Sequence, residues 1–140
     1  MDVDREIGYL LKRTQQALRG RIDAALRSLS VTTPQYAVLS SLEAGAELSS
    51  AELARRSFVT PQTMNEIVRL LEKNGMVERR GSQGNARMRM VQLTPHGRGS
   101  LKRCHQKVRE VEDRMLAGIK TRDIARISRL MERCAKNLEG

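Results

Sequence analysis

Aromatic side chains are nearly absent from this 140-residue chain: Tyr9, Tyr36 and Phe58 make up the 2%, and there is no tryptophan. The core must therefore be built from Leu, Ile, Val, Met and Ala, a palette that favours helices. Cysteine is scarce as well. Cys104 and Cys134 stand apart, with no CxxC pair and no zinc-ligand spacing, which points to a reducing, cytoplasmic setting. The apolar runs are only a few residues long, far short of the roughly 20 needed to cross a bilayer. The acidic opening Met1-Asp2-Val3-Asp4-Arg5-Glu6 lacks the apolar core of an export signal, so none is expected.

Each sign of charge is missing from one long stretch. From Arg79 to Arg109 there is no Asp or Glu, while Arg79, Arg80, Arg87, Arg89, Arg98, Lys102, Arg103, Lys107 and Arg109 accumulate; from Ser28 to Ala54 there is no Lys or Arg. The formal net charge is +10. A field so directional calls for a polyanionic partner, nucleic acid or an anionic membrane surface. With 39% hydrophobic and 30% charged residues, the chain reads as globular rather than disordered.

The three prolines all follow threonine, at Thr33-Pro34, Thr60-Pro61 and Thr94-Pro95. Threonine caps an orphan amide and proline suits the first helical position, so each pair predicts a helix start. Ile7, Leu10, Leu11, Leu18, Ile22, Ala25, Leu26 and Leu29 recur at helical spacing and predict a first helix from Val3 to about Ser28. A second helix is predicted from Pro34 to Ala44, with Gly45 as its stop. A third starts near Ser50 behind a Ser49–Glu52 capping box, and a fourth runs from Pro61 to Asn74. Then the period changes. Met76–Arg80 and Arg87–Leu93 alternate as strands, joined by the polar loop Gly81–Ala86. Pro95 to Ile119 and a last helix capped by Thr121 carry two further apolar stripes. The expected class is mainly α with a small β-hairpin wing.

Helix, tight turn, helix, then a two-stranded hairpin is the order of a winged helix-turn-helix. Here the sequence resembles the MarR family of regulators. The resembling segments are Thr33–Leu39 (TPQYAVL), Leu48–Arg56 (LSSAELARR), Val59–Val68 (VTPQTMNEIV), Leu71–Arg80 (LEKNGMVERR) and Val91–Gly97 (VQLTPHG). No one segment is unique; their order is specific. The resemblance implies one chain, 1–140, with a DNA-binding lobe at 33–94 and dimerisation helices at 1–30 and 95–140. It implies a cytoplasmic, nucleoid-associated repressor, without catalysis or cofactor. A homodimer would bind a near-palindromic operator on double-stranded DNA and respond to a small aromatic or anionic effector.

On the fourth helix, Met64, Ile67, Val68 and Leu71 share one face. Thr60, Gln62, Thr63, Asn65, Glu66, Arg69 and Lys73 are the candidate DNA contacts, since Gln and Asn can pair with adenine and Arg with guanine or phosphate. Ser49 and Ser50 of the third helix join them. In the wing, the family often has an Asp-x-Arg pair whose Arg enters the minor groove. Asn85-Ala86-Arg87 stands there instead, with Arg89 beyond, and Asn can offer Arg87 only a neutral hydrogen bond. Phe58 replaces a frequent turn glycine; packing into the core is the expected way to anchor it. Leu11, Arg13 and Tyr36 are candidates for the effector pocket. Ile7, Leu10, Leu101, Val108, Met115, Ile124, Met131 and Leu138 are candidates for the dimer interface. Both cysteines fall on apolar stripes and are expected to be buried thiols, and His96, Cys104 and His105 do not make a metal site. An unregulated basic protein coating DNA through its phosphates is the alternative.

Overall fold

The computed structural model describes residues 3–82 and 85–140, and the side chains of 6–81 and 89–140. The order is α1 (Val3–Arg27), α2 (Thr33–Ser41), β1 (Leu48–Ser49), α3 (Ser50–Arg56), α4 (Pro61–Lys73), β2 (Val77–Ser82), β3 (Asn85–Leu93), α5 (Pro95–Met115) and α6 (Thr121–Glu139). The strands form an antiparallel sheet in the order β1-β3-β2. β2 pairs with β3 from Val77 opposite Leu93 to Ser82 opposite Asn85, with an irregularity between Gly81 and Ser82. β1 is two residues long and exists through its pairing with Val91 and Met90; no alternating pattern announces it in the sequence.

Two of the three Thr-Pro starts hold as expected. Thr60 accepts the Thr63 amide and Thr94 the Gly97 amide, each at the cap of its helix. At α2 the cap is Thr32 rather than Thr33. Thr32 accepts the Gln35 amide while the Gln35 side chain accepts the Thr32 amide, a reciprocal pair that moves the start back one residue and puts Pro34 second. That helix ends at Ser41, short of Gly45. Ser49 caps α3 through the Glu52 amide, but the Glu52 carboxylate turns to Arg55. At α6 the cap position is Lys120, without a side-chain bond, so Thr121 is not the cap. α5 stops at Met115 rather than Ile119.

Of the five left-handed residues that follow helices, three share one kind of helix ending: Ser30 (φ +57°) after α1, Phe58 (φ +56°) after α3 and Gly75 (φ +74°) after α4. In each case the next amide reaches back across the last turn, Val31 to Leu26 O at 3.3 Å, Val59 to Ala54 O at 3.1 Å and Met76 to Leu71 O at 2.9 Å. That next residue then packs on the core, as this type of helix ending requires. Glycine does this freely; a residue with a β-carbon gives up about 1–2 kcal/mol. Phe58 does so without compensating burial. It is 96% exposed, so the expectation that core packing anchors it is corrected: the turn geometry sends its side chain outward.

The core gathers Leu26 and Val31, Val38, Leu39 and Leu42 of α2 and its end, Leu53 and Ala54 of α3, Met64, Val68 and Leu71 of α4, and Met76, Val77, Val91 and Leu93 of the sheet. Leu101, Cys104 and Val108 of α5 close it. Leu101 and Val108 are thus buried within their own chain. Their assignment to a dimer interface is corrected, because the winged lobe covers them itself. Cys134 is corrected in the opposite sense: Cys104 is buried, but Cys134 is exposed.

Where the sheet meets α5, a carbon added at Gly97 would lie 1.9 Å from the Met76 carbonyl oxygen, and that oxygen is already fixed by the Thr94 amide at 3.1 Å. At Gly99 the nearest atom would be the end of the Arg103 side chain at 3.7 Å. Gly97→Ala is expected to destabilise by about 2 kcal/mol or more through overpacking. Gly99→Ala should be neutral or stabilising by up to about 1 kcal/mol. Urea unfolding of both variants checks the contrast.

Candidate nucleic-acid interface

α4 is two-faced. Met64, Val68 and Leu71 are buried and Ile67 is partly so, whereas Thr60, Gln62, Thr63, Asn65, Glu66, Arg69 and Lys73 are all exposed. The helix therefore keeps a full polar face free of the core that holds it. At its start the Thr60 hydroxyl takes up the Thr63 amide and Pro61 has no amide to offer, which leaves the Gln62 amide as the first-turn donor for an anion.

α3 packs across α4 and orients one of these side chains. Ser50 donates its hydroxyl to Asn65 Oδ1 at 2.7 Å, leaving the Asn65 NH₂ as the free end. Ser49 is partly committed as the α3 cap. Glu66 and Arg69 pair at 2.5 Å. The hydrogen bond to Arg69 holds the Glu66 carboxyl below its ordinary range, and the same bond holds the Arg69 guanidinium more firmly protonated. Along the hairpin Arg79 meets Glu72 at 3.8 Å and Arg80 meets Glu78 at 3.1 Å, while Arg89 is exposed. The side chains of Asn85 and Arg87 lie outside the described residues.

Beside α4 runs a cleft of about 950 Å³ that borders the ends of α1 and α2. It brings Arg19, Asp23 and Arg27 next to Gln62, Thr63 and Glu66. The sequence reading missed the two arginines, although their spacing of eight with Asp23 midway puts all three on one helix face. Asp23 is held by the Thr33 hydroxyl and by Arg19, and these bonds keep its carboxyl below the usual range against the opposing effect of burial.

A second cleft of about 880 Å³ lies between α1 and α5, where Leu10, Leu18 and Met115 are apolar lining and Arg13, Arg21 and Lys107 are cationic. Arg13 lines it; Leu11 and Tyr36 do not. Tyr36 instead meets His105 Nδ1 at 2.7 Å, and His105 Nε2 meets Glu43 at 3.0 Å, so it braces α2 against α5. Burial pushes the Tyr36 hydroxyl above its ordinary pKa, with Glu112 adding to the effect. Burial also pushes the Cys104 thiol up, opposite to the low pKa of a sensing cysteine.

Ile7, Leu10, Met115, Met131 and Leu138 are exposed and Ile124 is partly exposed, and α6 buries no residue at all. Among the described residues no cluster of His, Cys, Asp and Glu could hold a metal, and no helix is long and apolar enough to cross a membrane.

Residues 29–88 match the sequence profile of the MarR family. The chain is 39% identical over 130 residues to the HTH-type transcriptional repressor Rv2887 of Mycobacterium tuberculosis, covering 93% of this chain and 94% of that protein. The chain belongs to the MarR family. Members of this family bind DNA and regulate transcription without catalysis. Two crystal structures of the same mycobacterial MarR protein superpose closely. Its complex with DNA is 37% identical with a TM-score of 0.75, covering 91% of this chain and 95% of that one. Its complex with salicylic acid is 39% identical with a TM-score of 0.74, covering 91% and 94%. The winged helix-turn-helix read from the residue order is thus the fold of this MarR chain.

Because Ser50 occupies the acceptor end of Asn65, Ser50→Ala should free that end and broaden base preference at the position Asn65 faces. Stability should change by no more than about 1 kcal/mol, as for one exposed hydrogen bond. Binding selection on random duplexes with both proteins measures it; an unchanged preference would remove Ser50 from readout.

Proposed function

We propose that this chain is a homodimeric transcriptional repressor that binds an inverted-repeat operator and leaves it when a small aromatic carboxylate binds. The observation that carries the reading is the fully exposed polar face of α4, set between the hairpin and a cleft that carries Arg19 and Arg27 beside Asp23 and Glu66. The mycobacterial relative crystallises with DNA and with salicylic acid, which supports the same pair of ligands here. Gln62, Thr63 and Asn65 read base edges in the major groove, Thr60 and the Gln62 amide take a phosphate, and Glu66 exchanges Arg69 for groups on the DNA. Arg69, Lys73, Ser49 and Ser50 hold the flanking backbone. Asn85, Arg87 and Arg89 belong to the wing, with Arg87 reading minor-groove width. The aromatic anion enters the α1–α5 cleft, where Arg13 and its neighbouring cations meet the carboxylate and the apolar lining meets the ring. The protein works in the cytoplasm, on the nucleoid.

Selection from random duplexes should return an inverted repeat with half-sites about 10 base pairs apart, the spacing of two recognition helices one DNA turn apart. Salicylate should then displace the selected operator. Equal binding to all sequences would favour the phosphate-coating alternative, and a salicylate-insensitive complex would remove the effector.

The same reading makes α6 a partner-seeking helix. Ile127, Leu130 and Met131 are exposed on a helix that buries nothing, a patch a lone chain seldom tolerates. Ile127→Asp with Met131→Asp is expected to give a monomer or an unfolded chain by light scattering. Leu101→Asp should instead unfold the lobe, since Leu101 lies inside it.

A further inference from the structure

At Phe58 the chain accepts two unfavourable conditions at once. Its backbone is left-handed, at φ +56°, where a β-carbon is crowded and glycine fits without strain. Its ring is 96% exposed, so no packing offsets the strain. Glycine would relieve both. A strained residue that makes no contact within its own fold points to a contact outside it.

Position narrows the partner. Phe58 lies two residues ahead of Thr60, the cap of α4, and therefore within about 7 Å along the chain of the helix end that carries Gln62 and Thr63. Arg55 and Arg56 precede it in the same turn, with side chains 69% and 52% exposed. The apolar faces left open for a second copy are on α1, α5 and α6, whereas α3 packs on α4 and the sheet. An aromatic ring beside arginines at the leading end of the recognition helix matches the chemistry of duplex DNA. Its major groove offers one apolar group, the thymine methyl, and phenyl rings are among the side chains that meet it.

We propose that Phe58 is an apolar DNA contact, seated on a thymine methyl at the edge of the major groove, with Arg55 and Arg56 on the adjoining phosphates. The inference rests on the operator-binding reading above. The left-handed backbone is what allows it. Val59 turns inward to the core while Phe58 turns outward, so the ring stands clear of the protein and ahead of α4.

The test uses the whole chain, its selected operator and Phe58→Gly. The variant should melt at the same temperature or higher. It should bind the operator about fivefold or more weakly, the size of one lost base contact, with an unchanged salt slope because no cation is removed. Replacing thymines one at a time by deoxyuridine deletes only the methyl. One such position, substituted in both half-sites because the dimer carries two rings, should cost the wild-type chain the same factor and cost Phe58→Gly nothing. A lower melting temperature would make Phe58 a packing residue and overturn the proposal. So would unchanged operator affinity, or a changed assembly state in light scattering, which would assign the ring to a protein partner. If the wild-type chain selects no sequence, the operator reading falls and takes this inference with it; unchanged affinity of Phe58→Gly sinks this inference alone.

Discussion

One threonine ties the working parts of this protein together. Thr94 donates its amide to the Met76 carbonyl at 3.1 Å and its hydroxyl to the Gly75 carbonyl at 2.5 Å, and it accepts the Gly97 amide at 3.0 Å. Those partners are the end of α4, the first residues of the hairpin and the first turn of α5. Gly97 completes the junction because any larger residue would collide with the Met76 carbonyl. The direction of α4, the base of the hairpin and the axis of α5 are therefore set by one cluster of backbone groups. A MarR dimer positions two such helices against one duplex, so an error at this joint would be carried to both half-sites.

Around α4 and the hairpin, the excess positive charge is partly held in check by the chain's own carboxylates. Arg69 rests on Glu66, Arg55 on Glu52 and Arg80 on Glu78. Exposed pairs of this kind contribute little to stability and can be exchanged for phosphates. They keep long side chains near useful positions in the free protein. Downstream of Arg79 the sequence supplies no further acid until Glu110, and the field of the hairpin and early α5 is correspondingly less balanced.

Much of this was legible from residue order. Threonine followed by proline marks the starts of α4 and α5 to the residue, because the cap hydroxyl and the missing amide are local chemistry. At α2 two threonines compete, and only the reach of Gln35 back to Thr32 decides between them. β1 was not legible, since Leu48 and Ser49 become a strand only opposite β3. The apolar stripes of α5 and α6 look alike in sequence, yet the lobe covers Leu101 and Val108 and leaves Met131 and Leu138 open. Periodicity gives a helix an apolar face without saying which chain will meet it. Phe58 defeated the rule that an aromatic residue goes inside, because the backbone of a helix ending fixed its direction first.

The nakedness of α6 has a thermodynamic consequence. A helix of 19 residues without a buried side chain lacks the tertiary packing from which most helical stability in proteins comes. In a MarR dimer that packing comes from the second chain, so folding and pairing share one equilibrium and stability rises with protein concentration. In a cell with few copies, abundance would then set how many chains are fully folded as well as how many sites are occupied. Dilution would act as a destabilising agent, and survival against proteolysis would follow the number of molecules present.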